Sequence, residues 1–274
     1  MRTAPRGCRE AIRGVEKWTA DNHLRWAAVG LDIEPSLGDW AQIQPGHRWR
    51  MVRTLLSRAF DGGSVARARA AYQNLIREMQ EHGYAVQTYQ LLFVADARRV
   101  HSTVLERLFG IVDVRGNDEA LMVYSSFNHR LEGALVWAYG PDAQSMAVGS
   151  TASTGNAQTD ARFGPLNWGE FSRDLIVASH FSKLVGVYNL EGCVRQGFLP
   201  KLQSLNWELP VTLSATTVVK ARRFRHGVQT ALWVASHIVY VGIAGLSFLA
   251  WLVVWLRSRR KARPADVPQI GVPR

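Results

Sequence analysis

The chain predicts an α/β fold, a parallel sheet of about five strands with helical crossovers, followed by one C-terminal transmembrane helix. Three observations predict it. Apolar runs of strand length alternate with amphipathic helical stretches from residue 9 to residue 190, the order that right-handed βαβ units need. Gly227 to Leu256 contains no Asp, Glu, Lys or Arg. At about 1.5 Å per residue such a helix exceeds the roughly 30 Å hydrocarbon core of a bilayer. Near the start, Trp26-Ala27-Ala28-Val29-Gly30-Leu31-Asp32-Ile33-Glu34-Pro35 reads as a short buried strand ending in two carboxylates.

That first strand follows a helix at 9–21, whose Ile12, Val15 and Trp18 lie near one stripe. Strand side chains alternate between faces. One face carries Ala27, Val29, Leu31 and Ile33, suited to packing against helices; the other carries Ala28, Gly30, Asp32 and Glu34. Small residues followed by acids suit a crowded interior that opens into a polar mouth, as at the C-terminal end of a barrel strand. Pro35 lacks a backbone donor and stops the strand. A loop at 36–47 and a short helix from Arg48 to Phe60 follow, broken by Asp61-Gly62-Gly63.

The clearest helix comes next, capped by Ser64 and ended by Gly83. Val65, Ala68, Tyr72, Leu75, Ile76 and Met79 recur at helical spacing. Tyr84 to Val94 predicts a second strand, Val100 to Leu108 a helix, Gly116-Asn117-Asp118 a turn, and Leu121 to Ser126 a third strand. Leu131 to Tyr139 predicts a helix and Ser145 to Ser150 a fourth strand. A Thr/Ser/Gly/Asn-rich loop at 151–166, a helix around Trp168 to Ile176, and a last strand from Leu184 to Leu190 complete the order. Five such strands allow a small doubly wound sheet or the later part of an eight-stranded barrel.

The chain has 274 residues, enough for one large domain or two small ones, and a net charge of +11. Residues 211–274 contribute +9 of that, with ten Lys/Arg against Asp266, so residues 1–210 carry only about +2. A nucleic-acid-binding domain wants its basic face on the folded part, so no nucleic-acid partner is expected. Cys8 and Cys193 allow one disulfide or none and show no metal-ligand spacing. No glycine fingerprint follows the first strand, and Gly62-Gly63-Ser64 lacks a P-loop lysine. No cofactor is expected.

Carboxylates two apart on a strand share a face, and each raises the other's proton affinity. Such a pair at a mouth suits general acid/base work, Glu34 as acid with Asp32 orienting and tuning it. On the last strand Val185, Val187, Asn189 and Glu191 share a parity, which would bring Asn189 and Glu191 to the same mouth. Tyr124 would end the third strand there and donate to developing charge. A second chemistry uses Asp32, Glu34 and Glu191 as oxygen ligands for Mg²⁺ or Ca²⁺; no His lies near them for zinc. Ser125, Ser126 and His129 are close in sequence, without a nucleophile elbow.

Gly30-Leu31-Asp32-Ile33-Glu34 resembles the Asp-x-Asp-x-Glu motif that ends the fourth strand of chitinase-like glycoside hydrolases, with Gly30 at the first Asp. Met122-Val123-Tyr124-Ser125 resembles the family's sixth-strand Met-x-Tyr-Asp with Ser125 at the last place, and Gly186-Val187-Tyr188-Asn189 resembles its eighth-strand Gly-Val-x-x-Trp without the Trp. The resemblance covers about residues 9–205 and implies a partial TIM-type (β/α)8 barrel, strands four to eight, with Glu34 as the acid and Asp32 assisting it. Ser125 in place of Asp departs from substrate-assisted hydrolysis of N-acetylated sugars. The implied register places three strands ahead of Met1, an expectation of an amino-terminal truncation.

The expected organisation is a glycosidase-like domain at 1–210, a basic juxtamembrane segment at 211–227, a transmembrane helix at 228–256 and a basic tail at 257–274. Trp233, Trp251 and Trp255 fit interfacial anchors, and His237 falls inside the span. The dense basic run after the span favours a cytoplasmic tail and an extracytoplasmic domain, although no apolar signal segment lies between Met1 and Asp21. The expected function is to act on or bind a glycan at the membrane, with Glu34 and Asp32 catalytic and Tyr124, Asn189 and Glu191 shaping the sugar site. The alternatives are a non-catalytic glycan- or partner-binding membrane protein and a metal-dependent phosphodiester hydrolase.

Overall fold

A computed structural model describes residues 4–34, 53, 57–58, 62–153 and 163–261. The elements are α1 (Ala4–Asp21), β1 (Ala28–Asp32), α2 (Gly62–Glu81), β2 (Ala85–Leu91), α3 (Phe93–Arg99), α4 (Val104–Phe109), β3 (Asp118–Met122), α5 (Gly133–Tyr139), β4 (Ser145–Gly149), α6 (Trp168–Ser179), β5 (Val185–Tyr188), α7 (Leu190–Arg195), α8 (Phe198–Gln203), α9 (Ala215–Ser236) and α10 (Ile238–Lys261). Most of the helix expected at 48–60 and of the loop at 151–166, Pro35, and the tail beyond 261 lie outside the described residues.

The five strands form one all-parallel sheet in the order β1-β2-β3-β4-β5. Sequential order without reversal is singly wound and removes the doubly wound alternative, which needs a switch point. The sheet curls into a half-barrel with its helices outside. Alternation assigns the faces. Val29, Leu31 and Ile33 pack with Tyr72, Leu75 and Met79 of α2; Leu121, Val123, Met146 and Val148 pack with Leu135, Phe171 and Leu175 of α5 and α6. At about 25 cal/mol per Å² of apolar area, these two clusters are the main drive for the outer layer. The opposite parity, Gly30, Asp32, Tyr89, Met122, Tyr124, Ala147 and Tyr188, lines the concave side.

Helix boundaries follow local chemistry. Asn167 caps α6 by accepting from the Glu170 backbone N–H at 3.0 Å, and Glu170 returns the favour by accepting from the Asn167 N–H at 3.0 Å, a capping box. The α2 helix begins at Gly62, inside the expected breaker and ahead of the expected cap, so Ser64 lies in its first turn. The second strand stops at Leu91: the apolar run that followed it belongs to α3, whose first turn holds Asp96 and last turn Arg98 and Arg99. Short apolar runs do not distinguish strand from helix by period alone. The third strand starts at Asp118 rather than Leu121, and Ser125–Asn128 is a 3-10 turn. The acid enters the sheet because Gln87 Nε2 and Ser145 Oγ both donate to it, at 2.6 and 2.8 Å to Oδ2.

The basic juxtamembrane segment expected at 211–227 is largely helical. Most of it lies in α9, whose Arg225 side chain is only 10% exposed. Arg225 donates to Asp96 Oδ1 at 2.8 Å and to the Ala138 carbonyl at 2.6 Å, pairs with Asp142, and lies 4.5 Å over the Tyr139 ring. Gln229 also donates to Asp96, at 2.9 Å.

The described residues from 234 to 261 belong to a second compact unit. Its helix α10 contains Ile238–Ser258, 21 residues with mean hydropathy 2.2, long and apolar enough to cross a membrane. The apolar helix therefore begins ten residues later than the expected 228. Helix α9 ends at Ser236 and α10 starts at Ile238, so His237 sits between helices and not inside the apolar stretch.

Candidate functional site

The concave face gathers the sequence-derived carboxylates with residues from three other strands. Asp32 and Glu34 are both exposed there. Asp32 pairs in register with Tyr89, and a Cβ on Gly30 would come within 3.2 Å of the Tyr89 ring, so the glycine leaves room for that ring beside β1. Tyr89 donates to Gln87 Oε1 at 2.8 Å, and Gln87 donates onward to Asp118. This chain ties the floor of the face together.

Aromatic groups form the far wall. Tyr124, just after β3, stacks on Tyr188 at the end of β5, ring centroids 5.1 Å apart and planes 18° from parallel. Phe127 meets the Tyr124 ring edge-on at 5.7 Å, and Phe163 meets Phe127 at 6.1 Å. Offset and edge contacts of this kind hold the rings in place.

Burial and charge raise the proton affinity of groups on both walls. The Asp32 carboxyl is pushed up to about 6, first by burial and then by the charge of Glu34, against a backbone hydrogen bond from Ile33. Asp32 is exposed, yet its carboxyl is partly desolvated, as befits a group lying in the curve of a sheet. Tyr124 is pushed up by burial first, then by Asp32, Tyr188, Glu34 and Tyr89. Tyr89 is pushed up by burial, Asp118 and Asp32. Tyr124 thus sits within electrostatic reach of both carboxylates and both other tyrosines.

Asn189 and Glu191 do not continue the strand parity that was expected to bring them to the mouth. Val185 and Val187 pack into the outer core, so their parity points away from the mouth, and Gly186 and Tyr188 face it instead. The strand also ends at Tyr188. Asn189 caps α7, its Oδ1 accepting from the Gly192 N–H at 2.8 Å. Glu191 pairs with Arg195 one turn on, at 2.7 Å, with its side chain 64% exposed. A Cβ on Gly192 would overlap the Thr151 carbonyl at 2.3 Å, so this glycine lets α7 close on the end of β4.

The sequence reading missed Tyr89, Tyr188 and Phe127. The signal for Tyr188 was present: Val185-Gly186-Val187-Tyr188 alternates branched and small residues just as β1 does, which places the tyrosine on the small face.

The other constellations do not assemble. Ser125 donates to Asp174, a fully buried carboxyl whose proton affinity is raised by burial, while His129 contacts the Gly164 carbonyl at 3.1 Å and Glu170 at 3.6 Å. Serine and histidine therefore serve separate partners. Among the described residues no group of three His, Cys, Asp or Glu side chains is placed to hold a metal ion. A cavity of about 330 Å³ lies on the helix side, lined by Arg69, Arg98, His101, Glu106 and Asp113. Arg69 pairs with Glu106 at 2.8 Å and Arg98 donates to Asp113 at 2.9 Å, while Arg69 Nε is buried without a hydrogen-bond partner among the described residues. No family model, curated protein or solved structure matches this chain.

Proposed function

We propose that the protein is a membrane-anchored half-barrel of TIM type whose concave face holds a glycan, with Asp32 and Glu34 as the carboxylate pair for acid/base chemistry at a glycosidic bond. One observation carries the reading: two adjoining carboxylates, one with its proton affinity raised to about 6, stand within reach of a stacked tyrosine wall. Tyrosine faces suit the apolar faces of sugar rings, and carboxylates accept from sugar hydroxyls. A carboxyl that titrates near 6 can hold a proton for a leaving oxygen. Asp32 carries that shift, so the acid role is shared between Asp32 and Glu34 and is assigned by the pH profiles of the two variants. The helix Ile238–Ser258 supports the membrane anchor, with the tail at 257–274 cytoplasmic and the half-barrel on the opposite side.

The test is release of reducing ends from a panel of labelled oligosaccharides by the full chain in detergent. Glu34→Gln and Asp32→Asn should each lower turnover about 10²–10⁴-fold, the range of general acid/base contributions. Unchanged turnover in both variants removes the pair from the chemistry. Exposure of both carboxylates favours a second reading, a surface that binds the glycan without cleaving it. Binding by the wild type with no released ends selects that reading.

A further inference from the structure

We propose that the half-barrel is one half of a ring. Two copies join head to tail, the free edge of β5 on each pairing with the free edge of β1 on the other, and close a ten-stranded parallel barrel. Among the described residues β1 and β5 each have a sheet neighbour on one side only. Ile33 donates to the Tyr89 carbonyl, so the odd residues of β1 bond to β2, and by alternation the backbone groups of Ala28, Gly30 and Asp32 point to the free edge. The Leu184 and Tyr188 carbonyls accept from Met146 and Thr151, so the backbone groups of Val185 and Val187 point to the other free edge. These edges fit each other. In a parallel ladder a residue that bonds across the joint lies opposite one that does not, and both side chains share a face. Setting Val187 opposite the partner's Leu31 meets both conditions on the helix face. It also sets Tyr188 opposite the partner's Asp32 on the concave face.

Exposure follows the same two edges. Strands β3 and β4 are buried nearly throughout, whereas Ala28, Gly30 and Asp32 of β1 and Tyr188 of β5 are exposed. Neither edge strand holds a Pro or Lys, residues that commonly blunt a free edge. An apolar groove of about 180 Å³, lined by Ile12, Val15, Val29, Leu31 and Met79, opens between α1 and β1. The side chains that alternation brings to it across the joint are the partner's Val185 and the partner's Val187. Trp18 and Trp26, which stack on each other, and Tyr188 are each about half exposed. At about 150–250 Å² per ring they offer roughly 300 Å² per copy, and Leu184, Leu190 and Val194, each more than half exposed, add to it. A stable pair needs about 800 Å² per partner. A head-to-tail contact gives a ring or an open filament according to its rotation. The half-barrel curl of the five strands makes two copies the closing number. Eight strands are just filled by their side chains, so ten leave room for a ligand that both copies line.

The experiment sediments the full chain to equilibrium in density-matched detergent, where its protein mass should be twice the 30.6 kDa of one chain. In the proposed register Leu184 lies opposite the partner's Ala28, about 4.8 Å away between Cα atoms and within disulfide reach. The double variant Ala28→Cys/Leu184→Cys should therefore give a covalent dimer on oxidation. The wild type and each single variant alone should not, and a mixture of the two single variants should. Ala28→Pro removes an N–H that faces the free edge, at the first residue of a strand where proline is tolerated. It should raise the dimer dissociation constant about 10-fold, the size of one ladder hydrogen bond lost at each of two joints. Leu184→Lys, at an exposed position, should weaken the dimer as well. A single-chain mass at micromolar concentration overturns the proposal. A dimer that neither variant weakens and that the paired cysteines do not lock is held elsewhere and overturns it too. Single variants that cross-link by themselves overturn the head-to-tail order, and a series of larger cross-linked species overturns closure.

Discussion

On the helix side of the sheet Asp96, Glu106, Glu119 and Asp174 are buried and each meets an arginine; on the concave side Asp32 and Glu34 meet no described cation. Taking a charge out of water is expensive, and an opposite charge with further hydrogen bonds offsets the cost. The helix-side acids therefore belong to the scaffold. Asp96 is the extreme case: Arg225, Gln229 and Tyr139 all donate to it, and the first two come from α9. The concave acids have the residual charge that a scaffold avoids and a ligand can use.

The sharpest way to break this comparison is to remove a scaffold cation. Arg225→Ala leaves Asp96 buried with only neutral donors. Losing one partner of a buried pair costs about 3–5 kcal/mol, and for a domain of this size a melting temperature lower by roughly 10 °C is expected. A thermal melt of the full chain in detergent checks it; an unchanged midpoint means that α9 is not held by this pair.

The opposite sign is expected at the mouth. The folded-state carboxyl of Asp32 titrates at about 6, above its ordinary 3.8. Its ionised form thus disfavours the fold above about pH 6, and the effect disappears below the ordinary value, where the group is neutral in both states. Asp32→Asn should raise the melting temperature by a few degrees at pH 7.5, with the gain fading between about pH 6 and pH 4. A fall at pH 7.5 would make Asp32 a scaffold acid like the others.

The smallest effect is expected at Glu191. Its pair with Arg195 is exposed and one helical turn apart, worth about 0.3–0.5 kcal/mol. Glu191→Ala should leave both the melt and oligosaccharide affinity nearly unchanged. A loss of affinity would return Glu191 to the mouth.

Much of the fold was legible because it is local. The stripe Val65, Tyr72, Leu75, Ile76, Met79 announces α2, and those residues are the buried ones. The split of β1 into Val29, Leu31, Ile33 against Gly30, Asp32, Glu34 correctly separates core from concave face. Errors fell where two local signals competed. Leu92-Phe93-Val94 is apolar enough for a strand but is followed by helix-favouring charge placement. A strand parity extended to Asn189 and Glu191 runs past the point where Asn189 begins to cap a helix.

The sequence by itself determined the alternation of strands and helices, the pair of acids on the small face of β1, and the apolar C-terminal helix, since periodicity, side-chain size and hydropathy act within a few residues of chain. Only the tertiary structure decided that the strands lie in sequential order, that Tyr89 and Tyr188 both meet Tyr124 on the face that carries Asp32, and that Arg225 reaches Asp96 across 129 residues. Those outcomes depend on register, on the curl of the sheet and on which charges become buried together, and none of these leaves a short-range pattern in the chain.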